Sequence, residues 1–291
     1  MKIQARLSIC FVAPLAYPLL ANNKTIKHVG GAELQQVILA KALAAIGHEV
    51  SMICLDYGQP DEEVIDGVTV YRAYDQNAGL PFIRFFYPRL ATILNCMKRA
   101  NADIYYQRCA GMLTGVVAKF CKTNKKVSIF SGAHNDDFSE SIKTLKSKKD
   151  KILYKYGLQN IKQIVVQNKE QRRLLLENYS RHSIVMNNAY EPPVNATNDE
   201  NGYILWVSSF REFKRPHLFI ELVKLLPDYQ FKMIGGAGDK TLYSAIEKEA
   251  RKLSNLQFCG FVPFAEIEAH YDKAKLVINI VIIKSKFFFM I

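Results

Sequence analysis

Much that would settle a function quickly is missing from this sequence. Its six cysteines (Cys10, Cys54, Cys96, Cys109, Cys121 and Cys259) are scattered, mostly inside apolar runs, and no two form a C-x-x-C pair. That pattern excludes a disulfide frame and a clustered zinc site, and implies buried thiols in a reducing compartment. No uninterrupted apolar run reaches the roughly 18 residues of a membrane span. Even the apolar ending LVINIVIIKSKFFFMI, residues 276–291, is broken by Lys284 and Lys286. The opening MKIQARLSICFVAP starts like a secretion signal, but Pro14 and Pro18 interrupt it and no small-residue cleavage pattern follows. There is no G-x-G-x-x-G dinucleotide fingerprint, no D-x-D pair for a metal and no internal repeat. Aromatic and basic residues do not alternate as in an RNP-type surface, so nucleic acid is not an expected partner.

What is present is a globular composition, 49% hydrophobic and 23% charged, with a formal net charge of +12 over 291 residues. The length suits two domains, and the charge calls for an anionic partner: a phosphorylated small molecule or an anionic membrane face. Short apolar runs alternate with amphipathic stretches. Strands are expected at 7–12, 48–55, 103–107, 126–132, 163–167 and 183–187. Helices are expected at 31–47, 88–99, 110–124, 140–158 and 168–179, the first ended by Gly47. This alternation implies parallel strands joined by crossover helices. A polar, proline-bearing stretch, YEPPVNATNDENGY, then reads as a linker. The alternation resumes with strands at 204–209, 229–236, 256–260 and 276–281 and helices at 215–226, 240–253 and 265–273. The expected organisation is thus an α/β chain: a first domain over 1–189, a linker over 190–202, and a second domain over 203–291 with an atypical tail from about 281. With four strands where open parallel sheets commonly carry five or six, the second domain reads as incomplete.

Three stretches carry chemistry. In HVGGAE, residues 28–33, Gly30 and Gly31 precede a helix. They serve either to bring backbone N–H groups to an anionic ligand or only to make a tight turn. In WVSSFREFKRP, residues 206–216, Arg211, Lys214 and Arg215 stand in a strand-to-helix turn, where cations can neutralise a diphosphate. MIGGAGDK, residues 233–240, puts Gly235 and Gly236 in the next such turn. The third, SGAHNDD at 131–137, offers His134 for a sugar or phosphate and Asp136 or Asp137 for hydroxyls. A lysine-rich amphipathic helix is also expected over KTLKSKKDKILYKYG, residues 143–157. It reads either as a solvated face or as a surface for an anionic membrane.

Taken in order, VGGAELQQVILAKALAAIGHEV, ADIYYQR, VVQN, WVSSFREFKRPHLFIELVKLLP, FKMIGG and FCGFVPFAEIEAHYDKAKLVIN resemble the retaining glycosyltransferases of GT-B fold, family 4 or group 1, over residues 6 to about 280. The resemblance implies two Rossmann-like domains with the active site in the cleft between them. It implies transfer of a sugar from a nucleoside-diphosphate sugar to a glycan or lipid-linked acceptor with retention, without a metal or other cofactor, in cell-surface polysaccharide synthesis. His134 matches the cleft histidine and is the expected catalytic residue. Gly30, Gly31, Arg211, Lys214, Gly235 and Gly236 are the expected donor and phosphate contacts. Glu33, Arg108 and Asp136 are the expected acceptor or cleft contacts. Lys214 matches the usual lysine, whereas the usual arginine position holds Ser209 and Arg211 stands in for it. The expected location is cytoplasmic, peripheral on the inner membrane face. One departure weighs against turnover. The family's pair of glutamates seven residues apart is absent, since no glutamate here has another eight positions on. The sequence therefore reads as a truncated transferase of low or no activity. The alternatives are a non-catalytic remnant that binds an anionic membrane or partner, and, against the missing fingerprint, a nicotinamide-dependent oxidoreductase.

Overall fold

The computed structural model describes residues 5–23, 30–80, 83–190 and 202–280. They form two compact units, one ending at the residues around 190 and the other starting at 202. The expectation of an atypical tail from about 281 lies outside the described residues, as does most of the expected linker.

The first unit begins with β1 (Ser8–Val12), whose alternate side chains enter two different cores. Ile9 and Phe11 pack with Val37 and Ala40 on one face, while Cys10 and Val12 pack with Met97 and Phe120 on the other. A strand buried on both faces is what helices on both sides of a parallel sheet require. There follow α1 (Tyr17–Leu20), α2 (Gly31–Ala45), β2 (Glu49–Cys54), β3 (Glu62–Ile65), β4 (Val68–Arg72), α3 (Ala91–Ala100) and β5 (Ile104–Arg108). Next come α4 (Met112–Asn124), β6 (Val127–Ser131), α5 (Lys148–Asn160), β7 (Gln163–Val166), α6 (Lys169–Tyr179) and β8 (Ile184–Val185). Among the described residues the sheet order is β3-β4-β2-β1-β5-β6-β7-β8, parallel except that β3 runs antiparallel to β4. The order reverses between β1 and β5, so the crevice for a ligand opens at the carboxyl ends of those strands. Burial of the thiols follows the expectation for Cys10, Cys54, Cys96 and Cys121, whereas Cys109 and Cys259 are partly exposed. Loss of solvation pushes the Cys10 thiol up to about 12, which leaves it inert as a nucleophile.

Two elements differ from the sequence reading. The interval 56–87 contains the hairpin β3–β4, turned by Asp66 and Gly67, both at positive φ (50° and 78°). A two-residue Asp-Gly turn matches the twist of paired strands. The helix expected from 140 starts only at Lys148, where the Ser147 hydroxyl accepts the Asp150 N–H. Upstream, the Asp136 carboxylate accepts the Thr144 N–H at 2.7 Å and the Ser139 hydroxyl at 2.9 Å, so those groups are drawn away from a helical ladder. The basic amphipathic helix expected over 143–157 is therefore helical only in its later part. It crosses α4 closely through Gly115 and Gly157. A Cβ on Gly157 would lie 2.6 Å from the Thr114 carbonyl carbon.

The second unit runs β9 (Tyr203–Val207), α7 (Pro216–Leu225), β10 (Phe231–Ile234), α8 (Lys240–Ala250), β11 (Leu256–Gly260), α9 (Phe264–Asp272) and β12 (Ala274–Val277). Its described strands are all parallel, in the order β11-β10-β9-β12. Trp206, Phe210, Phe219 and Phe231 fill the core between sheet and helices. Here the reversal lies between β9 and β12, which puts the loop after β9 at the ligand edge. Among the described residues no helix is long and apolar enough to cross a membrane.

Candidate functional site

In the first unit the candidate residues gather where β5, β6 and β7 end. These strands finish as YYQR, IFSGAHNDD and VVQN, so each apolar run turns polar as it leaves the sheet. Arg108, only 8% exposed, donates to the Ser131 hydroxyl at 3.0 Å and to the Asn188 side-chain oxygen at 2.9 Å. Its Nε is buried without a partner, and no carboxylate pairs with the guanidinium among the described residues. Asn188 in turn donates to Gln167, whose amide donates to the carbonyls of Gly132 and Ala133. Gln35 of α2 pairs twice with the backbone of Ala189, accepting its N–H and donating to its carbonyl, both at 2.7 Å. Sequence reasoning missed Ser131, Gln167, Asn188 and Gln35. The signal for the first three was there, in polar residues closing apolar strands.

His134 is exposed on the turn after β6, at the start of a short 3-10 segment, Asn135–Phe138. Behind it, the Asp137 carboxylate accepts the N–H groups of Ala133 at 2.7 Å and His134 at 3.0 Å. Burial pushes the Asp137 carboxyl up, and those two hydrogen bonds offset only part of the rise. For Asp136, burial also acts upward but is outweighed by the hydrogen bonds from Thr144 and Ser139, leaving its carboxyl below the usual range. The Asp137 carboxylate thus holds the His134 turn, and the half-buried Asp136 carboxylate holds the loop that follows through Ser139 and Thr144.

Gly30 is the N-cap of α2, and a Cβ there would overlap the Glu33 carboxylate, which lies back over the helix start. Gly31, the first residue of the helix, has open space where a Cβ would stand.

The second unit has the opposite character. Ser208 donates its N–H to Ile234, Phe210 to Gly236, and Asp239 to Phe210, lacing the loops after β9 and β10 together. Gly235 permits this, since a Cβ there would collide with the Ser208 carbonyl oxygen; Gly238 lies under Arg211, whose Cγ would be 2.7 Å from a Cβ. Arg211 is exposed and Lys214 half-buried on the turn Glu212–Lys214, and among the described residues neither forms an ion pair. Burial, and then the charge of Arg211 nearby, push the Lys214 ammonium below its usual value. Two adjacent cations without a counter-ion are unfavourable alone and favourable once an anion sits between them. Ser209, at the position matched to the family's arginine, is half-buried beside them. Among the described residues no group of three or more His, Cys, Asp or Glu is placed to hold a metal.

A search of curated proteins returned no match. Similar solved structures include the catalytic domain of starch synthase IV from Arabidopsis thaliana bound to ADP and acarbose, at TM-score 0.66 and 14% identity, covering 94% of this chain and 78% of that one. A glycosyltransferase from Rickettsia africae aligns at TM-score 0.60 and 16% identity, covering 96% and 74%. A trehalose-6-phosphate synthase aligns at 0.56 and 11%, covering 90% and 75%. At such identities the likeness establishes the fold, the GT-B type with two Rossmann-like parallel-sheet domains. The model of Glycosyltransferase Family 4 matches residues 29–190, more than half of the chain. With the glycine pair, the polar strand ends and seven of the first sheet's eight described strands inside that match, the chain belongs to Glycosyltransferase Family 4.

Proposed function

We propose that the protein transfers a sugar, with retention of anomeric configuration, from a nucleoside-diphosphate sugar to a glycan or lipid-linked acceptor in cell-surface polysaccharide synthesis. The observation that carries the reading is the unpaired pair Arg211 and Lys214 at the carboxyl edge of the second sheet. During transfer the bond from the sugar's anomeric carbon to the diphosphate breaks as the acceptor oxygen bonds to that carbon and gives up its proton. Negative charge develops on the leaving diphosphate, and fixed cations there stabilise the transition state more than the ground state. Gly235 lets the loops after β9 and β10 pack closely enough to present both cations, and the Gly236 carbonyl accepts the Phe210 N–H between them. In the first unit His134 is exposed to meet a sugar hydroxyl, and Glu33 suits an acceptor hydroxyl. Arg108 supports the turn rather than touching substrate. No metal takes part, because the two cations supply the charge that a divalent ion would otherwise provide. Fold relatives support the donor class, since starch synthase IV binds ADP, and the trehalose-6-phosphate synthase work concerns glycosyltransfer with retention. The proposed location is the cytoplasmic face of a membrane. Turnover by these 291 residues is expected to be low, because the spaced glutamate pair that contacts donor sugar and ribose in this family is absent.

Calorimetric titration of the purified chain with uridine, guanosine and adenosine diphosphates tests this. One of them binds, nicotinamide adenine dinucleotide does not, and Lys214→Gln weakens binding by about tenfold or more. Failure of all three nucleotides to bind overturns the assignment.

A further inference from the structure

The first unit carries an unusual surface that the transfer site does not use. Leu80 (68% exposed), Ile83, Phe86 (63%) and Tyr87 (72%) stand out into solvent on the segment before α3. Large side chains exposed singly need no account, but four within eight residues form a patch. The same surface continues onto α5. The Lys149 ammonium lies over the Phe85 ring, 3.6 Å from its centroid, joining the two segments, and Ile152 is 68% exposed on the same helix. Around this apolar centre the stretch 143–155 holds six lysines against one carboxylate, Asp150. Lys143, Lys146, Lys148, Lys149 and Lys155 are exposed, and Arg84 adds a further cation beside Ile83.

We propose that this composite face docks on an anionic lipid surface, with Ile83, Phe86, Tyr87 and Ile152 entering the headgroup region and the lysines meeting lipid phosphates. Two observations favour a bilayer over a protein groove. The apolar side chains project rather than line a cleft, and the charge is nearly all of one sign. Aromatic and aliphatic groups partition into the interface while lysines gain from the negative surface potential. The apolar part comes from a segment well removed in sequence from α5, so the lysine-rich helix alone does not define the face. The inference rests on the lipid-linked acceptor reading for its purpose, whereas the binding itself requires neither donor nor turnover, so the two fail separately.

The experiment is co-sedimentation of the full chain with vesicles of phosphatidylcholine alone and of phosphatidylcholine with 30% phosphatidylglycerol (about three in ten lipids anionic, a common surface charge). Binding to the anionic vesicles that falls with salt is expected. K148Q/K149Q/K155Q should reduce it by about tenfold or more, and F86S/Y87S by several-fold. These side chains are exposed, and circular dichroism confirms that each variant folds. K240Q/K248Q/K252Q removes the same charge from the second unit and should change binding little. Absence of binding, equal binding to neutral vesicles, or an equal loss in the second-unit variant overturns the proposal. Self-association in sedimentation that F86S/Y87S abolishes, without vesicle binding, assigns the face instead to a second copy of the chain.

Discussion

At the carboxyl edge of the first unit's sheet, charge is buried and engaged. Arg108 holds Ser131 and Asn188, and Asp137 holds the backbone of the His134 turn. At the same edge of the second unit the charge has no counter-ion: Arg211 is exposed, Lys214 is half-buried with its ammonium 5.5 Å from the Phe213 ring centroid, and among the described residues neither forms an ion pair. The first arrangement fixes a loop so that one exposed side chain is presented; the second keeps a site in readiness for an anion. Polar groups tied to one another define shape, while cations left unpaired define a ligand.

Four substitutions test that contrast, beginning with the largest effect. Gly235→Ala drives a methyl into the Ser208 carbonyl and should destabilise the second unit by about 3 kcal/mol, separating the loops that carry the cations. Thermal unfolding should show the loss, together with loss of nucleotide diphosphate binding. Arg108→Met leaves Ser131 and Asn188 without their donor and should cost about 2 kcal/mol in urea unfolding. Nucleotide binding by the second unit should survive it; if it does not, the two edges are not independent.

Smaller effects follow from ionisation. The Asp137 carboxyl is raised in the folded state, so that state takes up a proton before the unfolded chain does. Its contribution is complete below the unfolded value and is lost as pH rises through the folded one. Asp136 is lowered and acts oppositely, its contribution being lost as pH falls through its folded value. Asp137→Asn keeps an acceptor for the two N–H groups and removes only the first dependence, by about 1 kcal/mol over the acid range. Unfolding curves at successive acid pH values would reveal it. Lys214 is a depressed base: between its folded value and the usual 10.5 the unfolded chain holds more protons, and stability rises with pH. Lys214→Gln should abolish that alkaline rise and stabilise the free second unit by less than about 1 kcal/mol, the group being partly solvated, while weakening ligand binding. A variant that becomes more stable as it loses affinity is the sharpest sign of a site built for an anion. Destabilisation by Lys214→Gln would instead make the lysine structural.

The apolar run of β1, buried on both faces, and the stop at Gly47 were legible because local sterics and burial decide them. The hairpin β3–β4 went unread although Asp66-Gly67 signals it. Its strand Glu62–Ile65 is acidic and half-exposed, and only pairing with β4 makes it a strand. The start of α5 was misplaced because a hydrogen bond from Thr144 to Asp136, eight residues away, competes with helix formation. At the site, residue types pointed to His134, Arg211 and Lys214, but not to which charges would be spent internally.

By itself the sequence determined the alternation of strands and helices, the division near residue 190, the family resemblance and the positive charge, since these follow from periodicity, composition and short-range order. Tertiary structure alone decided that Arg108 is engaged while Arg211 and Lys214 form no ion pair among the described residues, and that Phe85 meets Lys149. Whether a charged or aromatic side chain is spent or available depends on neighbours brought together by the sheet and its crossovers. Those neighbours lie tens of residues away along the chain, beyond the reach of any local pattern.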